Sequence, residues 1–203
     1  MALFTDPRVP ELGPNVKRAH GRLAAWLGRV VMGLAGWRFE GELPDVKKMV
    51  LIVAPHTSNW DFPVGLMAKL ALRLGGVFIG KHTLFRWPFG GLMRGLGGIP
   101  VDRSAAAGFA SEVARVLREA ERMTVVLAPE GTRRRVDQWK SGFYRIAHEA
   151  GAPILPVGFD YSRKVVFFAP LLHTTGDYEK DLKQLRAVYR PEMGRKPRNY
   201  SSS

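Results

Sequence analysis

Two short segments hold the side chains that could do chemistry. In the first, Ala54-Pro55-His56-Thr57-Ser58-Asn59-Trp60-Asp61, an imidazole and a carboxylate lie five residues apart. On one continuous helix five residues rotate by about 140°, so the pair would diverge. A turn between a strand and a helix can instead bring the carboxylate back onto the ring. His56 then serves as general base on a hydroxyl, and Asp61 fixes its tautomer and stabilises the imidazolium. Each residue alone also has a plainer reading, His56 as a polar strand end and Asp61 as a helix N-cap. The second segment is Ala128-Pro129-Glu130-Gly131-Thr132-Arg133. Pro129 and Gly131 suit a tight turn with outward-facing amides. Arg133 adds a two-pronged donor for phosphate or carboxylate. Its plainer reading is a surface turn with a charged rim.

The elements that must position these segments are read from the apolar pattern. Short apolar runs at 49–54, 77–79, 99–101, 124–127, 154–159 and 165–168 predict strands. Between them, periodic stretches predict helices over 61–74, 105–122, 142–150 and 175–189, with Pro63 in the first turn of one and Gly151 ending another. Strands alternating with helices predict a single α/β domain with a largely parallel, mixed sheet flanked by helices. Both chemical segments end predicted strands, where open α/β sheets gather ligands. The apolar, glycine-rich stretch 84–98 fits no regular element and suits acyl chains or lipid contact.

The chain is strongly basic. Thirty-one Lys and Arg face 18 Asp and Glu in 203 residues, a net charge of +13. Such a surface favours nucleic acid, anionic membrane or phosphorylated substrates. A zinc finger, an aromatic RNA-binding signature and a clear helix-turn-helix are all missing from the sequence, so no nucleic-acid partner is expected, and a non-catalytic protein that binds nucleic acid or lipid is kept as the alternative reading. Without cysteine there is no disulfide or catalytic thiol, and five dispersed histidines argue against a metal site. Residues 75–82 nearly match a phosphate loop, but His82 stands where Ser or Thr would hold magnesium, and 77–79 reads as strand.

Residues 1–40 read as an irregular lead-in and a basic amphipathic helix over 17–38. Leu23, Trp26, Leu27, Val30, Val31 and Leu34 form its apolar side. Arg29 interrupts it and the apolar stretch is too short for a membrane span. It reads either as a helix packed on the domain or as one lying on lipid. Residues 41–190 form the domain proper, and 191–203 a basic polar tail.

The two segments belong to a larger pattern. The chain resembles the glycerolipid acyltransferases, the family of 1-acyl-glycerol-3-phosphate acyltransferases, from the first predicted strand to Val157. His56 to Asp61 looks like the family's His-four-residues-Asp motif. Ile99-Pro100-Val101-Asp102-Arg103 resembles its second block, Pro129-Glu130-Gly131-Thr132-Arg133 its third and Ile154-Leu155-Pro156-Val157 its fourth. Lys81 and Lys140-Ser141-Gly142-Phe143 also match family positions. Pro55 and Ala128 depart from the usual Asn and Phe. The resemblance implies acyl transfer from a thioester of coenzyme A or acyl carrier protein to a lyso-lipid hydroxyl, with no cofactor or metal. It implies His56 as base and Asp61 as its orienter. Arg103 and Arg133 would hold an acceptor phosphate in a site shaped by Glu130, Gly131 and Thr132, with Lys81 a further anion contact. The acceptor is 1-acyl-glycerol-3-phosphate or another lyso-phospholipid or lyso-aminolipid. The expected setting is peripheral, on an anionic membrane surface at the cytoplasmic face.

Overall fold

The computed structural model describes residues 9–101 and 108–201. Seven strands form one sheet in the order β1-β7-β6-β2-β5-β3-β4. They are β1 (Arg38–Glu40), β2 (Lys48–Ala54), β3 (Gly76–Lys81), β4 (Gly98–Val101), β5 (Met123–Leu127), β6 (Ile154–Asp160) and β7 (Val165–Phe168). Every pairing is parallel except β6 with β7. The six strands expected from the apolar runs are present. β1 is an addition, because a three-residue strand with one buried side chain, Phe39, leaves no alternation to detect.

Because a parallel sheet is covered on both faces, its central strands are apolar throughout. Met49 and Leu51 of β2, with Leu155, Val157 and Phe159 of β6, pack toward Ala68, Ala71 and Leu72 of α2 (Asp61–Leu72). Val50, Ile52 and Ile154 point the other way. They meet Leu117 of α4 (Phe109–Glu119), Phe143 and Ile146 of α5 (Gly142–Ala150), and Leu185 of α6 (Tyr178–Arg186). α6 is shorter than expected because Asp177 caps it, its carboxylate accepting the Lys180 amide at 3.1 Å. The near-match to a phosphate loop falls on β3, whose backbone pairs with β4 and β5.

α1 (Arg22–Leu34) packs on the domain, but through its small residues and Met32 and not through its large apolar ones. Ala25, Gly28 and Met32 are buried, while Leu23, Trp26, Leu27, Val31 and Leu34 are exposed. Gly28 makes this contact possible. A Cβ there would lie 2.6 Å from the Ala71 amide nitrogen and 2.8 Å from the Met67 carbonyl oxygen, so only glycine allows the two helices this close. The stretch after β3 forms a 3₁₀ turn (His82–Phe85) and α3 (Gly90–Gly95). It buries Phe85 and Met93 but exposes Trp87, Phe89 and Leu92. The Lys69 ammonium lies 3.3 Å from His20 Nε2 and donates to the Leu96 carbonyl at 2.5 Å. The start of α1 and the end of α3 therefore meet there. Among the described residues no helix is long and apolar enough to cross a membrane.

The segment expected as a basic polar tail is docked through Ser201. Pro191 and Pro197 each open a 3₁₀ turn, where their fixed φ suits the first position. Met193 and Ser201 are buried. The Tyr161 amide donates to the Met193 carbonyl at 2.9 Å, and the Val136 amide to Ser201 Oγ at 3.1 Å. This strap crosses the ends of β2, β5 and β6.

Candidate active site

The register of the central strands brings the two chemical segments together. Ile52 of β2 pairs with Leu127 of β5 in parallel. His56 and Glu130 come four and three residues after those partners, so both turns leave the same end of the sheet side by side. The His56 amide donates to Glu130 Oε2 at 2.7 Å, tying one turn to the other.

His56 Nδ1 lies 3.0 Å from Asp61 Oδ2. An ionised carboxylate only accepts, so Nδ1 carries the proton and Nε2 is the basic nitrogen. The imidazole is 18% exposed and the Asp61 side chain 1%, so the ring has an open edge while its partner is enclosed. Asp61 is not the N-cap of α2. Trp60 holds that position and makes no side-chain cap. Asp61 is the first helical residue, and its carboxylate reaches back to the turn. Oδ2 accepts the Ser58 amide at 2.9 Å as well as His56, and Oδ1 accepts the Tyr161 hydroxyl at 2.8 Å. A buried carboxylate needs such partners, since an unpaired charge in low dielectric is costly.

Glu130, expected in the acceptor site, lies behind His56 and is buried. Burial pushes its carboxyl up to about 7, aided by the negative charge of Asp61 and opposed by the hydrogen bond from His56. Gly131 adopts a positive φ of 65°, the left-handed conformation glycine tolerates. A Cβ there would sit 3.1 Å from the stem of Lys140. Arg133 Nε is buried without a hydrogen-bond partner among the described residues. Arg103 lies outside the described residues; Lys81 is placed at the end of β3 by its backbone.

His56 and Asp61 face a cavity of about 990 Å³, together with Gly131, Thr132 and Arg133. Phe62 and Leu66 of α2, Phe78 of β3, Val126 of β5 and Phe143 of α5 supply apolar wall. β3 and β5 pair only as far as Phe78 and Val126, so the sheet opens beyond that point. An imidazole base, an unpaired guanidinium nitrogen and apolar walls share one enclosure. That combination suits removal of a proton from the hydroxyl of an anionic, long-chain molecule.

Several residues that complete the site carried no motif. Thr57 is buried, its Oγ1 accepting the Lys196 amide at 3.2 Å and its carbonyl the Asn199 side chain at 3.2 Å. Asn199 also donates to the Arg133 carbonyl at 2.9 Å. For Tyr161 a signal existed. It follows the predicted strand 154–159 by two residues, and the carboxyl ends of such strands are where ligands gather.

The mostly parallel sheet, with His56 and Asp61 paired at its carboxyl end, is an α/β fold of enzyme type. The profile of the acyltransferase family matches residues 37–160, and the chain belongs to that family as an O-acyltransferase. A search of curated protein sequences gives no match. Among solved structures, the chain is similar in fold to the 1-acyl-sn-glycerophosphate (LPA) acyltransferase PlsC from Thermotoga maritima. The TM-score is 0.62 at 22% identity, covering 82% of this chain and 75% of that one.

Proposed function

We propose that the protein moves a fatty acyl group from a thioester of coenzyme A or acyl carrier protein to the free hydroxyl of a lyso-glycerolipid. The acceptor we assign is 1-acyl-glycerol-3-phosphate. The observation that carries this reading is His56 bonded through Nδ1 to Asp61 at 3.0 Å while facing the cavity. Nε2 takes the acceptor's hydroxyl proton as the oxygen attacks the thioester carbonyl carbon. The new C–O bond forms, the C–S bond breaks, and the imidazolium returns its proton to the departing thiolate. Asp61 stabilises the imidazolium between these steps.

A phosphate acceptor is favoured by Arg133, whose buried Nε has no partner among the described residues and whose guanidinium can grip phosphate through two bonds. Arg103, Lys81 and Thr132 are assigned to the same anion, and Gly131 to the shape of its site. Glu130 is better read as the brace of His56. The acyl chain is assigned to the apolar walls, and the thioester is a substrate, with no cofactor in the scheme.

The protein meets its lipid acceptor peripherally, on the anionic cytoplasmic face of a membrane. The exposed apolar residues of α1 and of the 82–97 segment support this, since large exposed apolar patches mark interaction surfaces. The test is to incubate purified protein with an acyl thioester and a panel of lyso-lipids and identify products by mass. Phosphatidate is expected. A product from another lyso-lipid reassigns the acceptor, and transfer to none contradicts the reading.

A further inference from the structure

The strongest unassigned feature lies beyond residues 37–160, where the family match ends. Asp61 must present one oxygen to His56 at a fixed angle. The terminal torsion of an aspartate is broad, so donors on a single oxygen leave the carboxylate free to rock. Here Oδ2 holds His56 and Ser58, and the only donor found on Oδ1 among the described residues is the Tyr161 hydroxyl at 2.8 Å. Tyr161 is itself clamped. Its ring meets Trp37 edge-on at 5.0 Å. The Arg195 guanidinium stands 5.8 Å from the same ring and 4.8 Å from Trp60, the neighbour of Asp61. The Tyr161 amide is bonded to Met193 of the strap.

We infer that Tyr161, held in place by the C-terminal strap, is a positioning residue for acyl transfer that locks the second oxygen of Asp61 and thereby the orientation of His56. Burial and the adjacent Asp61 charge raise the hydroxyl above its ordinary range, so it remains a donor. The inference rests on His56 acting as the base. It adds that the catalytic unit extends to residues 161 and 190–201.

Tyr161→Phe removes one oxygen and keeps the ring. Losing a hydrogen bond to a charged group predicts a fall in kcat of about tenfold, with KM for donor and acceptor unchanged. The acceptor is whichever lyso-lipid the wild type turns over. In an Asp61→Asn background the same substitution should cost less than about twofold, because Tyr161 acts only through Asp61. A full tenfold loss there, or a kcat within about twofold of wild type in the single variant, overturns the inference. Arg195→Ala keeps the hydroxyl but loosens one clamp on the ring, so it should lower kcat by up to about threefold and add nothing in a Tyr161→Phe background; a loss that persists undiminished in that background would assign the effect to packing and overturn the strap's role. A readout without substrate separates this inference from the acyl-transfer reading. The His56 Nδ1 proton, followed by NMR, should exchange with water faster in Tyr161→Phe than in wild type. Unchanged exchange overturns the inference even where no acceptor is turned over, while absence of turnover by the wild type counts only against the acyl-transfer reading.

Discussion

At the carboxyl ends of β2, β5 and β6 the polar side chains are engaged with one another: Asp61 with His56, Ser58 and Tyr161, Glu130 with His56, and Thr57 with the strap. Along α1 and the 82–97 segment, large side chains have little around them. Trp87 is 94% exposed and Leu34 86%. The same residue type serves opposite ends: Trp37 and Trp139 are buried in the two halves of the core, whereas Trp26 and Trp87 face outward. Buried charge requires partners inside the protein. Exposed apolar patches mark surfaces of interaction, and the proposed one here is with lipid. Substitutions in the first region should therefore change turnover or folding, and those in the second should change where the protein resides.

The sharpest break of this contrast is Asp61→Asn. It keeps the shape of the side chain and removes the charge that stabilises the imidazolium, so turnover should fall by about 10²–10⁴-fold with little change in binding. Kinetics run alongside thermal melts check this, because Asp61 also bonds Ser58 and Tyr161.

Glu130 comes next. Its folded value near 7 lies above the ordinary 4.5, so the folded state holds its proton more tightly than the unfolded one. Its contribution to stability is full below about pH 4.5 and is lost as pH rises through about 7. The unfolding free energy of wild type minus that of Glu130→Gln should fall by about 3 kcal/mol between the two ends of that window. Urea melts across pH measure it, and parallel curves for the two proteins would remove Glu130 from this role.

Arg133→Ala probes a cation of the first region whose Nε has no partner among the described residues. The KM for a phosphate-bearing acceptor should rise about 10–100-fold, and that for the thioester much less. If binding is unchanged and the variant melts early, Arg133 is structural.

The smallest effect belongs to the second region. Trp87→Ala should weaken co-sedimentation with anionic vesicles by about fivefold at moderate salt and leave turnover of a dispersed, short-chain acceptor unchanged. Equal partitioning of the wild type to neutral and anionic vesicles would contradict the assigned surface.

Much of the first region was legible in the sequence because its strands are continuous apolar runs and its turns carry Pro, Gly and charged residues at their ends. His56, Asp61 and Arg133 could be placed because polar residues directly after a buried strand sit at the edge of the sheet where ligands bind. Glu130 could be placed near them, but only the register of β2 against β5 shows its carboxylate turned onto an amide. Tyr161 could be placed after a predicted strand, but its bond to Asp61, like that of Asn199 to Arg133, spans more than 60 residues of chain, and no local pattern encodes such a contact. In the second region the periodicity of α1 gave a helix but not its inward face. The large apolar residues point outward here, because the contact with α2 is made through Ala25 and Gly28. Close helix packing through small residues leaves almost no hydrophobic signal.

The central claim is that the imidazole of His56, oriented by Asp61, takes the acceptor's proton. The most direct test is His56→Ala assayed beside wild type with an acyl thioester and the lyso-lipid the wild type prefers, product being quantified by mass and folding checked by thermal melt. The account predicts a loss of about 10²–10⁴-fold in product formation at an unchanged melting temperature. Turnover close to wild type would contradict it.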